Sequence, residues 1–276
     1  MYNMTLNCNG NLLDLSQPKV MGVLNLTPDS FFDGGMYKDE DQIIARVKKM
    51  ILDGAAIIDV GAYSSKPNAA SVSVEEEKKR LLPVIKLLIN QFSNLIISVD
   101  TFRAEIANLA VNEGAAIIND ISAGVLDANM FKTIAELQVP YIMMHMRGNP
   151  QTMQSLTNYE NLTKEVIYYF SERMNKARDL GINDLVIDPG FGFAKTREQN
   201  FELLNKLELF SVLDCPVLVG VSRKSMIYKT LDITPQDALN GTTVLNTIAL
   251  QKGAKIIRVH DVKDAVEAIK LVNELH

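Results

Sequence analysis

The sequence predicts an α/β fold: a single (β/α)8 TIM barrel over residues 1–276, with a short N-terminal β-hairpin across its bottom. Three observations lead there. Eight short runs rich in Val and Ile recur along the chain. Each is apolar on consecutive residues, as a strand covered on both faces should be. Longer amphipathic stretches separate them, which gives the βα alternation of a closed parallel barrel. A doubly wound open sheet is the alternative. It usually needs fewer strands, and no GxGxxG follows the first run.

The elements follow in order. In Thr5–Lys19, the run Asn9-Gly10-Asn11 is a turn signal between two short mixed segments, so a hairpin is expected over the N-terminal mouth. The apolar runs are Val20–Leu26, Ile57–Gly61, Leu95–Asp100, Ala116–Ile121, Pro140–His145, Leu185–Pro189, Val217–Ser222 and Ile256–His260. Helical stretches include Val74–Phe92, Tyr159–Leu180 and Pro235–Lys252. In the first of these, Glu75, Glu76 and Glu77 occupy the opening turn, where the helix dipole favours carboxylates. Turn-rich loops, Thr27–Gly35 and Ala62–Ala70, follow the first two runs. Loops of this kind can close over a substrate.

Composition narrows the function. Hydrophobic residues make up 47%, enough for a large core, and this excludes a disordered chain. Lys and Arg number 28 against 33 Asp and Glu, a net charge of −5 without a basic tract, so a nucleic-acid partner is not expected. Cys8 and Cys215 stand far apart with no CxxC spacing, which argues against a disulfide framework or zinc site and for reduced thiols. Residues 1–10 lack the layout of a signal peptide, and no apolar run approaches the roughly 18 residues of a membrane span. A cytoplasmic protein with no membrane partner is expected.

The polar residues of the runs cluster at their C-terminal ends, where barrel enzymes place their chemistry. Asn25 ends the first, and Ser64, Ser65 and Lys66 follow the second. Asp100 ends the third, Asn119 and Asp120 lie in the fourth, and His145 ends the fifth. Asp188 ends the sixth, Ser222, Arg223 and Lys224 the seventh, and Arg258 and His260 the eighth. Each has a plainer reading. Asp100 could equally cap a helix opened by Thr101. Asn119 could be a buried amide satisfied by backbone, and each histidine a satisfied core residue. Arg258 inside an apolar strand is rarer without a partner. Agreement across eight strand ends favours a site.

Carboxylates read the N–H edge of a guanidine-like heterocycle, a Lys donates to a ring carbonyl, and Arg, His, Ser and Asn suit phosphate oxygens or an ion beside them. The ligand implied is a flat polar heterocycle with a phosphate-like group. Metal-dependent hydrolysis fits less well, with no HxH pair or dense carboxylate–histidine cluster.

These residues carry a family pattern. Val23-Leu24-Asn25-Leu26-Thr27-Pro28-Asp29-Ser30-Phe31-Phe32-Asp33-Gly34-Gly35 resembles the first signature of the dihydropteroate synthases. Ser98-Val99-Asp100-Thr101, Asn119-Asp120-Ile121-Ser122, Met144-His145-Met146, Asp188-Pro189-Gly190-Phe191-Gly192-Phe193, Gly220-Val221-Ser222-Arg223-Lys224-Ser225 and Arg258-Val259-His260-Asp261 follow in the family's order. The resemblance implies a transferase of folate biosynthesis. It would condense 6-hydroxymethyl-7,8-dihydropterin pyrophosphate with 4-aminobenzoate, with Mg²⁺ as cofactor and, by family habit, as a homodimer. Asp100, Asn119, Asp188 and Lys224 would hold the pterin, with Arg258 stacking on it. Asn25, Ser65, Arg258 and His260 would meet the pyrophosphate, with Mg²⁺ at Asn25. Aminobenzoate would lie against Phe31, Lys66, Pro67 and Phe193 with its carboxylate near Ser225, and Asp33 could pair with Lys66 across the closed mouth. Asp100, Lys224, Arg258 and His260 would be the catalytic set. One departure stands out: the second signature, Glu-Ser-Thr-Arg-Pro-Gly in many members, reads Tyr63-Ser64-Ser65-Lys66-Pro67-Asn68 here. Two other readings share the barrel: a pterin-binding methyltransferase, against which the first loop and Ser222–Ser225 speak, and a non-catalytic pterin-binding paralogue.

Overall fold

A computed structural model describes residues 4–26, 36–63 and 72–275. Strands β1 (Thr5–Cys8) and β2 (Asn11–Asp14) form the expected hairpin. Its turn residues Asn9 and Gly10 both have positive φ, 53° and 84°. This is the left-handed pair that Asn-Gly adopts at low cost and that matches strand twist.

Eight βα units follow: β3 (Lys19–Asn25) and α1 (Met36–Leu52), β4 (Ile57–Gly61) and α2 (Val74–Gln91), β5 (Ile97–Asp100) and α3 (Ala104–Asn112), β6 (Ile117–Asp120) and α4 (Met130–Leu137). Then come β7 (Tyr141–Met144) and α5 (Leu162–Asp179), β8 (Leu185–Asp188) and α6 (Arg197–Asn205), β9 (Leu218–Val219) with α7 (Ser225–Leu231) and α8 (Leu239–Gln251), and β10 (Ile256–Val259) with α9 (Val262–Asn273). The strands are parallel in the order β8-β7-β6-β5-β4-β3-β10-β9. A bridge between Ile187 and Val217, with Ile187 N–H donating to Pro216 O at 3.0 Å, joins β8 to β9 and closes the barrel.

All eight expected runs are strands, but most end one to three residues early. Leu26, His145 and His260 fall just past their strands, and β9 stops at Val219, so Gly220, Val221 and Ser222 already belong to the loop. The third stretch expected to be helical starts at Leu239, because Asp237 N–H and Ala238 N–H close turns onto Thr234 and Pro235. In α2 the Ser73 Oγ caps Glu76 N–H at 3.1 Å ahead of the acidic first turn.

Strand alternation builds the core. Ile58, Val99, Ile118, Ile187 and Ile257 face the helices, while Met21, Ile57, Ile117, Ile142, Val186 and Ile256 fill the barrel floor. The hairpin lays Leu6, Cys8, Leu13 and Leu15 against that floor, all buried. Each side chain as large as Leu contributes on the order of 1.5–3 kcal/mol through burial. Asn7 N–H donates to Asp184 Oδ2 at 2.8 Å and Asn9 Nδ2 to Ala115 O at 3.2 Å, which fixes the hairpin on the N-terminal end. Among the described residues no helix is long and apolar enough to cross a membrane.

Candidate active site

Two residues above the apolar floor, the inward side chains change character. Asp59 on β4, Asn119 on β6 and Arg258 on β10 share the phase of Ile57, Ile117 and Ile256. Their side chains meet. Arg258 Nε donates to Asp59 Oδ2 at 2.6 Å, Arg258 Nη2 to Asp100 Oδ2 at 3.0 Å, and Asn119 Nδ2 to the same Asp59 Oδ2 at 3.1 Å. Asp59 is fully buried. Asp100 is therefore engaged at the site and does not cap a helix. Thr101 Oγ1 instead donates to the buried Glu77 at 2.8 Å, and Asp127 Oδ2 takes the Ala104 N–H at the head of α3. Gly61 brings β4 close, since a Cβ there would lie 3.3 Å from Asp100 Cβ.

Asp188 and Lys224 line the other side. Asp188 ends β8, and its Oδ1 accepts from Gly190 N–H at 2.8 Å. Lys224 Nζ donates to Phe191 O at 2.5 Å and lies 4.9 Å from the centre of the Phe193 ring. A Cβ on Gly220 would stand 3.8 Å from both Lys224 Nζ and Arg258 Cβ, so Gly220 lies between the two side chains. Ser225 opens α7 immediately after Lys224.

His260, one residue past β10, pairs its Nδ1 with Ser222 Oγ at 3.0 Å, and its own N–H donates to that hydroxyl at 3.2 Å. Asn25 ends β3, exposed at the mouth. Phe31, Asp33, Ser65, Lys66 and Pro67 lie outside the described residues.

Removal from water sets the protonation of this cluster. It pushes Asp100 up to about 7, with the Asp59 carboxylate adding to the rise and Arg258 opposing it. It raises Asp188 against the pull of Lys224, and lowers Lys224 to about 8 against the pull of Asp188. His260 is held at about 4 by burial and the Arg258 charge, so at neutral pH it is uncharged. With Nδ1 facing the Ser222 hydroxyl as acceptor, Nε2 carries the proton and makes no hydrogen bond among the described residues.

Several residues singled out in the sequence prove to be scaffold. Asp120 faces away from Asn119 and takes bonds from Tyr141 OH, Ser122 and Gly124 N–H. Arg223 grips Asp261 through Nε and Nη2 at 2.8 and 2.9 Å. Tyr63, where many relatives of the resembling family carry Glu, stands edge-on to Phe102 at 5.1 Å and accepts a bond from Gln151 Nε2 at 3.2 Å. Asp59 was not among the expected residues. Its signal was a lone acid in the inward phase of an otherwise apolar strand, two residues short of the end. Lys195, buried behind Asp188, was also missed; it lies in a loop, outside any periodicity.

A parallel barrel whose mouth gathers carboxylates, an amide, Lys, Arg and His defines a (β/α)8 enzyme with its candidate site at the C-terminal ends of the strands. The model of the pterin binding enzymes matches residues 21–260. The chain is 44% identical over 271 residues to the dihydropteroate synthase of Escherichia coli (strain K12), covering 98% of this chain and 95% of that protein. The structure superposes on the Yersinia pestis dihydropteroate synthase in complex with a sulfonamide drug with a TM-score of 0.92 and 40% identity, covering 99% of each chain. It superposes on the Xanthomonas albilineans dihydropteroate synthase with 4-aminobenzoic acid with a TM-score of 0.91 and 37% identity, covering 99% of this chain and 98% of that one. The chain belongs to the pterin binding enzymes, in the dihydropteroate synthase branch of that family.

Proposed function

We propose that this barrel condenses 6-hydroxymethyl-7,8-dihydropterin pyrophosphate with 4-aminobenzoate, giving 7,8-dihydropteroate and pyrophosphate for folate biosynthesis. The observation that carries the reading is the two-sided tier, with Asp59, Asn119, Arg258 and Asp100 on one side and Asp188 and Lys224 on the other. Asp188 accepts from the amino and ring N–H edge of the pterin, and Lys224 donates to its carbonyl. Asn119 completes the edge, and Arg258 covers the face of the ring.

The bond between the pterin methylene and pyrophosphate oxygen breaks, leaving positive charge on the methylene. Asp100, as a carboxylate, stabilises that charge. Arg258 and the Nε2–H of His260 receive the leaving oxygens, beside Asn25 and Ser65. The aromatic amine then forms the new C–N bond, and its proton passes to the released pyrophosphate. By the family pattern Phe31, Lys66, Pro67, Phe193 and Ser225 would serve the aminobenzoate subsite, and Asp33 could pair with Lys66.

Asn25 fits a magnesium ion. It stands exposed at the mouth and carries an amide oxygen, a hard ligand. That suits Mg²⁺, which keeps several waters and binds through few protein groups plus substrate phosphates. Bound there, it would neutralise charge on the leaving pyrophosphate.

A cytoplasmic location belongs to this reading, in keeping with two buried free thiols that burial raises to about 12. So does a homodimer paired through outer helices. Pyrophosphate release measured with and without aminobenzoate tests the function. Release that depends on both substrates is expected, and none under any condition would refute it.

A further inference from the structure

Lys195 is 5% exposed, and its ammonium faces three acceptors, each at 3.0 Å: Gly190 O, Phe193 O and His145 Nδ1. An ammonium has three N–H donors, so every one is engaged. Burial and the Lys195 charge hold the His145 ring well below its usual range. The neutral ring therefore accepts at Nδ1. Two of the three acceptors belong to the turn that follows Asp188, and the third stands at the end of β7.

That turn lies backbone to backbone on β7. A Cβ on Gly190 would come within 2.1 Å of His145 O, and His145 N–H donates to Asp188 O at 2.9 Å. Gly190 has φ of +73°, and Ala194 stands at +48°, a conformation that a residue with a side chain keeps only where its surroundings hold it. The crest of the turn has its own supports: Asn200 Oδ1 takes Gly192 N–H at 2.6 Å, and Ala194 O takes Tyr159 OH at 2.9 Å. Neither reaches the Asp188–Gly190 stretch that aims the carboxylate. With two donors on carbonyls of the turn and the third on His145, the buried amine is spent on joining the turn to β7, although burial lowers it to about 7, a cost that packing alone would not require.

We propose that Lys195 is a positioning residue for the pterin subsite. Braced on His145, it locks the turn from Asp188 to Phe193 onto β7. It thereby fixes both the carboxylate that reads the heterocycle and the carbonyl and ring against which Lys224 rests. The inference rests on the pterin reading of the Asp188 side of the mouth. It sets Lys195 apart from the leaving-group side, which is built on β3, β4 and β10 and contains none of these contacts.

That separation supplies the test. Lys195→Met keeps most of the stem and removes the donors. The whole chain is titrated with a phosphate-free pterin and, separately, with inorganic pyrophosphate and Mg²⁺. Pterin affinity should fall at least tenfold while pyrophosphate affinity stays within twofold. Lys195→Ala should recover part of its pterin affinity with added butylamine and none with butanol, a difference that lost packing alone would not produce. Pterin binding as tight as wild type, or equal loss of both ligands, would overturn the proposal. If neither variant folds, His145→Phe, which removes one acceptor, decides by the same two titrations. Wild-type protein that binds no pterin would refute the functional reading itself, a result separable from failure of the Lys195 role.

Discussion

Asp59 holds Arg258 from below: its Oδ2 takes Nε at 2.6 Å, while a second arm of the same guanidinium reaches Asp100 at 3.0 Å. The two contacts differ in kind. Asp59 is fully buried and also takes Asn119, whereas Asp100 stands at the mouth with its side chain 17% exposed. Substrate arriving from the mouth meets the Asp100 arm first. Asp59 is then the fixed anchor and Asp100 the exchangeable one.

Asp59→Asn should lower stability by about 1–3 kcal/mol, the usual cost of weakening a buried hydrogen-bonded group, and urea unfolding measures it. It should also move the acid limb of the pH–rate profile to lower pH. Asp100 must be ionised to stabilise the cation, its group is raised to about 7, and the Asp59 charge contributes to that rise. Activity is therefore lost as pH falls through that value, and removing the Asp59 charge lowers the point of loss. An unmoved acid limb would separate Asp59 from Asp100.

Asp188→Asn replaces one acceptor by a donor against the pterin N–H edge. A loss of about 1–3 kcal/mol or more in pterin affinity is expected from the mismatched buried pair. Calorimetry with a phosphate-free pterin checks it, and unchanged affinity would remove Asp188 from the subsite.

Lys224 sets the alkaline side. Burial lowers it to about 8, and its donor function needs the proton. Efficiency with the pterin substrate should thus hold below that pH and decline as pH rises through it. Lys224→Arg remains charged throughout, so whatever its absolute rate, its alkaline limb should move upward. The same limb in both proteins would assign it to another group.

Chelating Mg²⁺ should suppress turnover and pyrophosphate binding while sparing a pterin that lacks phosphate. An unaltered rate after chelation would contradict the role given to Asn25 and its ion.

Much of this was readable in the chain. The eight strands announced themselves because each is covered on both faces, and Asn9-Gly10 gave the hairpin because few other pairs accept two positive φ values. The ends were less legible. Residues such as His145 and Ser222 look like strand in composition, yet they fall just past the last paired residues of β7 and β9. Asp59 was hidden for the opposite reason: it sits within its strand, and only the inward phase it shares with Ile57 marks it. Lys195 had no periodic signal, since its partners are carbonyls that any sequence supplies.

The hairpin and the pairing of β3 with β10 also bear on how the chain is made. Residues 5–14 emerge before the barrel strands, yet their partners include Ala115 and Asp184, and Lys19 N–H waits for Lys255 O at 2.9 Å. The floor they cover is not complete until Leu218 and Ile256 arrive. During synthesis the hairpin meets its partners piecemeal, at Ala115 and then Asp184, and its docking floor is finished only with nearly the last strand. Contacts this distant in sequence slow folding because a long loop must close before they return anything. A nascent chain stalled before residue 256 would present Leu6, Leu13 and Leu15 to the solvent or to a chaperone. The seal on the barrel precedes every strand it seals, and is complete only when the last of them is in place.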